Sequence, residues 1–357
     1  MNSIERVLAA LTFGRTAHGK PDRVPVLPVP LMQGALIYHC TVQEYFGMPA
    51  DRIAAAQREL NQLLGGVPDA VAGFPHVVED VTAFGVDLKF PYENSSPTID
   101  GMRINDFSEI QSLRCPAPES SPVLRKTLET LTLLRSTIGR EKLVVGACIA
   151  PFSLPSMLMG TSRWMRLLLT PELRQKHLAR LLGVCQEFVT KWTQLQFQAG
   201  AHVVVLADGM ASSTILSRER FAEFAAPVIK EAIRTAGGPV IYEPVGCIEP
   251  SIDLCGDLGA IALLIGSEDN IASCKKKLAG KAALIGNLNN IKLRRWSPAR
   301  VELQTKRALA LGKPGYGFAV ANQGPEIPFD CTLEQVAAMV RTVAAYGSYE
   351  PAAAISA

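Results

Sequence analysis

Apolar positions in the second half of the chain fall in short continuous runs, each followed by a stretch with helical spacing. The run at 203–206 leads into Asp208, and Ser217 then opens SRERFAEFAAPVIKEAIRTAGG, which Gly237 and Gly238 stop. Similar runs stand at 239–244, 260–266, 282–288 and 316–322, and the first half adds 24–29, 83–90 and 142–150. Runs without polar alternation suit parallel strands buried on both faces. Helix starts are marked by Pro at the first helical position after Thr170 and Ser297. Eight strand–helix units predict an α/β fold, a (β/α)8 TIM barrel. A doubly wound sheet is the alternative, but no GxGxxG follows the first run. Residues 91–122 read as an excursion from the barrel. The whole of 1–357 reads as a single domain, with a small-residue tail at 351–357 expected to fray.

Composition narrows the classes. With 48% hydrophobic residues in 357, the chain buries a sizeable core and is not disordered. Its 36 basic and 33 acidic residues leave a net charge of +3, too balanced for a nucleic-acid partner. No apolar run reaches the roughly 18 residues of a membrane span. Glu5, Arg6 and Arg15 interrupt any signal-peptide core at the N-terminus. These features predict a soluble, cytoplasmic protein, and the apolar fraction is compatible with a homodimer. The eight cysteines show no CxxC framework and read as core residues, with room for a metal ligand among them.

A barrel places its chemistry at the C-terminal ends of its strands. There the sequence offers Asp208, Glu243, Cys247, Glu268, Asn287, Asn322 and Gln323. Each alone reads equally well as a helix cap or loop polar, and Cys247 as a small core hydrophobe. Thiolate and carboxylate are both zinc ligands, so Glu243, Cys247 and Glu268, with Cys331 near the same rim, are the candidate metal set. His76, in a Pro-flanked loop, is the functional candidate among the histidines. His18 and His177 read as solvated surface, His39 and His202 as structural, and Lys275-Lys276-Lys277 as a solvated helix face.

The segments PDRVPVLP (21–28), GACIAPFSLPSMLMG (146–160), GAHVVVLADGMASSTILSRERFAEFAAPVIKEAI (200–233), ALIGNLNN (283–290) and NQGPEIPFDCTLEQVAAMV (322–340) resemble, as a set, the uroporphyrinogen decarboxylase superfamily. That barrel superfamily includes tetrapyrrole decarboxylases and corrinoid-dependent methyltransferases of the methylcobamide:coenzyme M type. The decarboxylases carry an arginine-rich segment where this chain reads PLMQGALIYH (30–39). Without those bidentate clamps, a substrate bearing up to eight carboxylates loses its grip. His76 stands at the decarboxylases' catalytic aspartate, Met157 at their active-site tyrosine and Pro325 at a motif histidine.

The methyltransferase branch is the better match. Its zinc histidine position reads Glu243, its first zinc cysteine is matched by Cys247 with two residues inserted, and its glutamate by Glu268. Cys331 falls several residues past the last ligand position. The resemblance implies methyl transfer between corrinoid cobalt (methylcobalamin as co-substrate) and a small-molecule donor or acceptor. A separate corrinoid protein would be the partner and zinc the Lewis acid. In that reading Asp208, His76 and Glu243 are catalytic, while Asn287, Asn322 and Met157 contact substrate or corrinoid. The alternatives are a uroporphyrinogen-type decarboxylase and a non-catalytic corrinoid- or tetrapyrrole-binding relative.

Overall fold

The computed structural model describes residues 1–15, 17 and 19–349. His18 and the 351–357 tail lie outside the described residues.

The barrel staves are β1 (Ala70–Ala72), β4 (Leu143–Ile149), β5 (Val203–Ala207), β6 (Val240–Glu243), β7 (Ala262–Leu264), β8 (Ala283–Ile285) and β9 (Phe318–Ala319). They form one parallel sheet in the order β1-β4-β5-β6-β7-β8-β9. The remaining gap is spanned by residues 24–29. Val26 bridges Val320 in parallel, and the Asp69 amide donates to Val26 O at 2.9 Å, so this segment touches both sheet edges. Pro25, Pro28 and Pro30 carry no N–H, so it lies extended without joining a full ladder.

One predicted stave is corrected. Residues 77–84 form tight helical turns, and Asp87–Lys89 (β2) pairs antiparallel with Thr98–Asp100 (β3) in a separate hairpin. Phe84 and Val86 fill the outer core between sheet and helices. The stave that belongs there is the short, small-residue β1, whose AVA is too brief to stand out as a run. The 91–122 segment packs back on the barrel. Ile104 N donates to Leu158 O at 2.9 Å and Val42 N to Asn94 Oδ1 at 3.1 Å.

The inward positions of the staves follow period two and build a small inner core: Leu143 on β4, Val203 on β5, Ile241 on β6 and Ile285 on β8. Val7 and Leu11 of the first helix, Ser3–Leu11, join it and plug the N-terminal end of the barrel. Asp69, fully buried there, accepts from Arg6 at 2.8 Å, from Arg23 at 2.9 Å and from Val26 N at 2.9 Å. With that end closed, a ligand reaches the barrel interior from the C-terminal side. Among the described residues, no helix is long and apolar enough to cross a membrane.

Two surface expectations also change. His177 is buried, its ring stacked on Phe107, and burial holds its pKa below the usual histidine range. Of the three lysines at 275–277, Lys275 turns inward. It donates to Gly312 O, Pro314 O and Tyr316 O at 2.5–2.6 Å, and burial lowers its pKa to about 8. His202 is structural as expected: its Nδ1 accepts from Val144 N at 2.9 Å.

Candidate active site

A cavity opens inside the C-terminal half of the barrel. Its walls are the inward aliphatics Leu27, Val145, Val205, Ile241, Leu264 and Ile285, with Phe74, Val77 and Pro325 near the mouth. Glu243, the last residue of β6, is the one ionisable side chain among its described lining residues. It is 3% exposed and its Oε1 has no hydrogen-bond partner. Burial pushes its pKa up to about 8, because the apolar wall offers the carboxylate nothing to replace water. At neutral pH it therefore stands as a carboxylic acid with a proton to give.

Around this acid the strand ends are tied by a second buried carboxyl. Asp208 accepts from Ser153 Oγ at 2.5 Å and from Tyr242 OH at 3.2 Å. Its backbone N–H donates to Glu243 O at 2.8 Å. Burial raises its pKa to about 6, opposed by the Ser153, Tyr242, Met210 and Ala211 donors. Asp208 is thus placed to hold Glu243 and does not itself line the cavity. Asn322 works similarly on the other side, its Oδ1 accepting from Val29 N at 3.0 Å. Asn287 donates to Gly266 O at 2.8 Å and Asp269 O at 2.9 Å. Met157 is half-buried in the helix Leu154–Met159, packed on the outer core.

His76 sits at the mouth, two residues from the cavity-lining Phe74. Its Nδ1 accepts from Val78 N at 3.1 Å, which leaves the Nε2 proton facing Glu326 Oε2 at 3.5 Å. The other Glu326 oxygen accepts from Ser96 Oγ, in the 91–122 excursion. Ser96, Glu326 and His76 thus tie the excursion to the rim. A hydrogen bond to a charged group contributes about 1.5–3 kcal/mol. Glu326→Ala is accordingly expected to open the segment around Ser96 roughly tenfold or more often. Limited proteolysis checks this, and unchanged cleavage there would refute the tie.

The expected metal set is not assembled. Among the described residues, no three His, Cys, Asp or Glu side chains converge as ligands. Glu243 faces the apolar interior, whereas exposed Glu268 lines a groove on the outer wall. Cys247 stands beside Asp269 and Glu268, and burial with those carboxylates pushes its thiol up to about 11. Cys331 is fully buried in the outer core with its thiol on Thr332 O. Zinc held by these four residues does not fit the structure.

Sequence reading missed several polar groups. Asp80 is buried, accepts from Ile149 N at 2.7 Å and Trp192 Nε1 at 2.9 Å, and has its pKa raised by burial to about 7. Glu79, equally buried, is pushed up to about 8 against the attraction of Lys126. An adjacent acidic pair inside the apolar stretch VVEDVTAF was the available signal. Ser96 and Glu326 gave none, being brought together from 230 residues apart.

The family profile described as Uroporphyrinogen decarboxylase (URO-D) matches residues 4–346. A uroporphyrinogen decarboxylase of Helicobacter pylori (strain HPAG1) is 26% identical over 270 residues, 72% of each chain. The methylcobamide:CoM methyltransferase MtbA of Methanosarcina acetivorans is 23% identical over 280 residues, 74% of this chain and 80% of the relative. A solved methyltransferase from Methanosarcina mazei superposes with a TM-score of 0.84 at 20% identity, covering 97% of this chain and 99% of that one, which establishes the fold.

Proposed function

This chain belongs to the uroporphyrinogen decarboxylase (URO-D) family, and we propose that within it the protein is a corrinoid-dependent methyltransferase acting on a small, neutral, largely apolar methyl donor, with Glu243 as its general acid. The observation that carries this reading is the lone, unpartnered Glu243 carboxyl in an otherwise apolar cavity. A porphyrinogen with many carboxylates has no cation to meet on those walls, and a protonated acid there suits a leaving group that departs as an oxyanion. The methyltransferase relative with methylcobamide in its name supports the same direction.

The cavity is narrow and walled by aliphatic side chains, so the group it suits is a small methyl donor. A corrin ring, being far larger, fits only outside it, presented by a separate protein at the mouth. Corrinoid, when bound, would supply reduced cobalt(I), whose electron pair would form the new bond to the methyl carbon. The protein's own part is at the other end of the breaking bond. In a methyl ether the carbon–oxygen bond breaks, the methyl leaves without that electron pair, and the oxygen keeps it. Glu243 Oε–H gives its proton to that oxygen, and the carboxylate formed takes one back from solvent as the product leaves. The apolar walls exclude competing water during this step, and Asp208 with Tyr242 holds the strand ends that aim Glu243. His76, whose Nε2 lies 3.5 Å from Glu326, stands where it can orient donor or corrinoid at the rim.

The test is demethylation of methoxybenzenes with reduced cobalamin, read by the absorbance change at cobalt, beside an assay for uroporphyrinogen decarboxylation. Methyl transfer without decarboxylation is expected. Decarboxylation without methyl transfer would overturn the reading, as would ligand binding with no turnover of either kind.

A further inference from the structure

A second concavity, of about 410 Å³, lies on the outer wall of the barrel, between the loops after β7 and β8 and the helix Pro298–Gly312. Three cations, Lys292, Arg300 and Arg307, line it beside Trp296. All three are exposed, and none is within 4.0 Å of a carboxylate among the described residues. The neighbouring cations behave differently: Arg294 pairs with Asp330 at 2.9 Å and Lys306 with Glu302 at 2.6 Å. Arg300 and Arg307, two helical turns apart, share one helix face, so the unpaired charges are gathered on the groove side. Two carboxylates line the same groove. Glu268 is exposed there, while Asp269 is buried and spent on backbone donors, accepting from Ile248 N at 2.9 Å, Glu249 N at 2.8 Å and Gly266 N at 3.0 Å.

From this arrangement we infer that the groove is a binding site for a phosphorylated small molecule. Guanidinium groups present planar pairs of donors that match phosphate oxygens, and Lys292 adds a point charge. The volume and concavity suit a small molecule and not a flat protein face. Trp296, half-buried at the groove, offers an indole surface to any ring the ligand carries. Nothing in the methyl-transfer reading requires this site, and its test is independent of that activity.

Trp296 also supplies the assay, because Trp164 and Trp192 are fully buried. Tryptophan emission is followed while inorganic pyrophosphate, ADP or a polyglutamate peptide is added at low and moderate salt. Pyrophosphate and ADP are expected to give a saturable change that weakens with salt. Equal affinities identify phosphate alone as the recognised group, and tighter ADP binding identifies a nucleotide. The double variant Arg300→Ala/Arg307→Ala should weaken binding by roughly tenfold or more. Arg234→Ala, which removes a cation paired with Glu231 elsewhere, should leave it unchanged. Thermal melts of both variants confirm folding. The inference fails if neither phosphate compound gives a saturable change at millimolar concentration, if the double variant binds as wild type does, or if only polyglutamate binds.

Discussion

Glu243→Gln is expected to lower methyl transfer by roughly 10²–10⁴-fold, the range general acid catalysis supplies. Glutamine keeps the shape and polarity of the protonated acid but has no proton to give. The pH profile separates this from a packing defect. With a pKa near 8, the wild-type acid is protonated at neutral pH, and the transfer rate should fall as pH rises through about 8. In the glutamine variant the residual rate should lose that limb. Stability runs the same way. The unfolded chain loses this proton near the ordinary glutamate pKa, whereas the folded protein keeps it until about 8. Native Glu243 therefore costs increasing stability as pH rises across that window, and the cost is complete above it. Glu243→Gln should consequently melt at a higher temperature than wild type at alkaline pH and close to it at acidic pH. Full activity in the variant, or an unchanged alkaline limb, would remove Glu243 from the chemistry.

Asp69→Ala should cost about 3 kcal/mol, because it leaves Arg23 at the closed end of the barrel without a carboxylate partner, while Arg6 keeps only Asp22. The same carboxylate also accepts from Val26 N, so the substitution loosens the segment that joins the two sheet edges. Urea unfolding would show the midpoint moving down with little change in slope. Because Asp69 lies at the barrel end opposite Glu243, methyl transfer by the protein that remains folded should stay near wild type. A midpoint within error of wild type would show that the triad contributes little.

Much of the fold was legible because a parallel stave buried on both faces must be apolar along its length, and six of the predicted runs became ladder strands. The stave at 24–29 was legible in the same way, although its prolines keep it to isolated contacts. The second stave was misplaced because β1 is three small residues, while the louder pattern at 83–90 packs its apolar side chains outside the barrel. For the candidate site, position at a strand end pointed to Glu243, which lines the cavity, and to Asp208 and Asn322, which tie the strand ends around it. It could not tell a side chain facing the interior from one facing a groove or the outer core, which is why Glu243, Glu268 and Cys331 looked like one ligand set.

By itself, then, the sequence determined the barrel, the gathering of polar residues at the C-terminal ends of its strands and the absence of an arginine clamp in 30–39, since these follow from hydropathy, period and residue type along the chain. Only the tertiary structure decided that Glu243 stands alone among apolar walls and is therefore neutral. It alone brought Ser96 to Glu326 across 230 residues and gathered three unpaired cations on one outer groove. Burial and through-space partnership set those properties, and neither is written in local order along the chain.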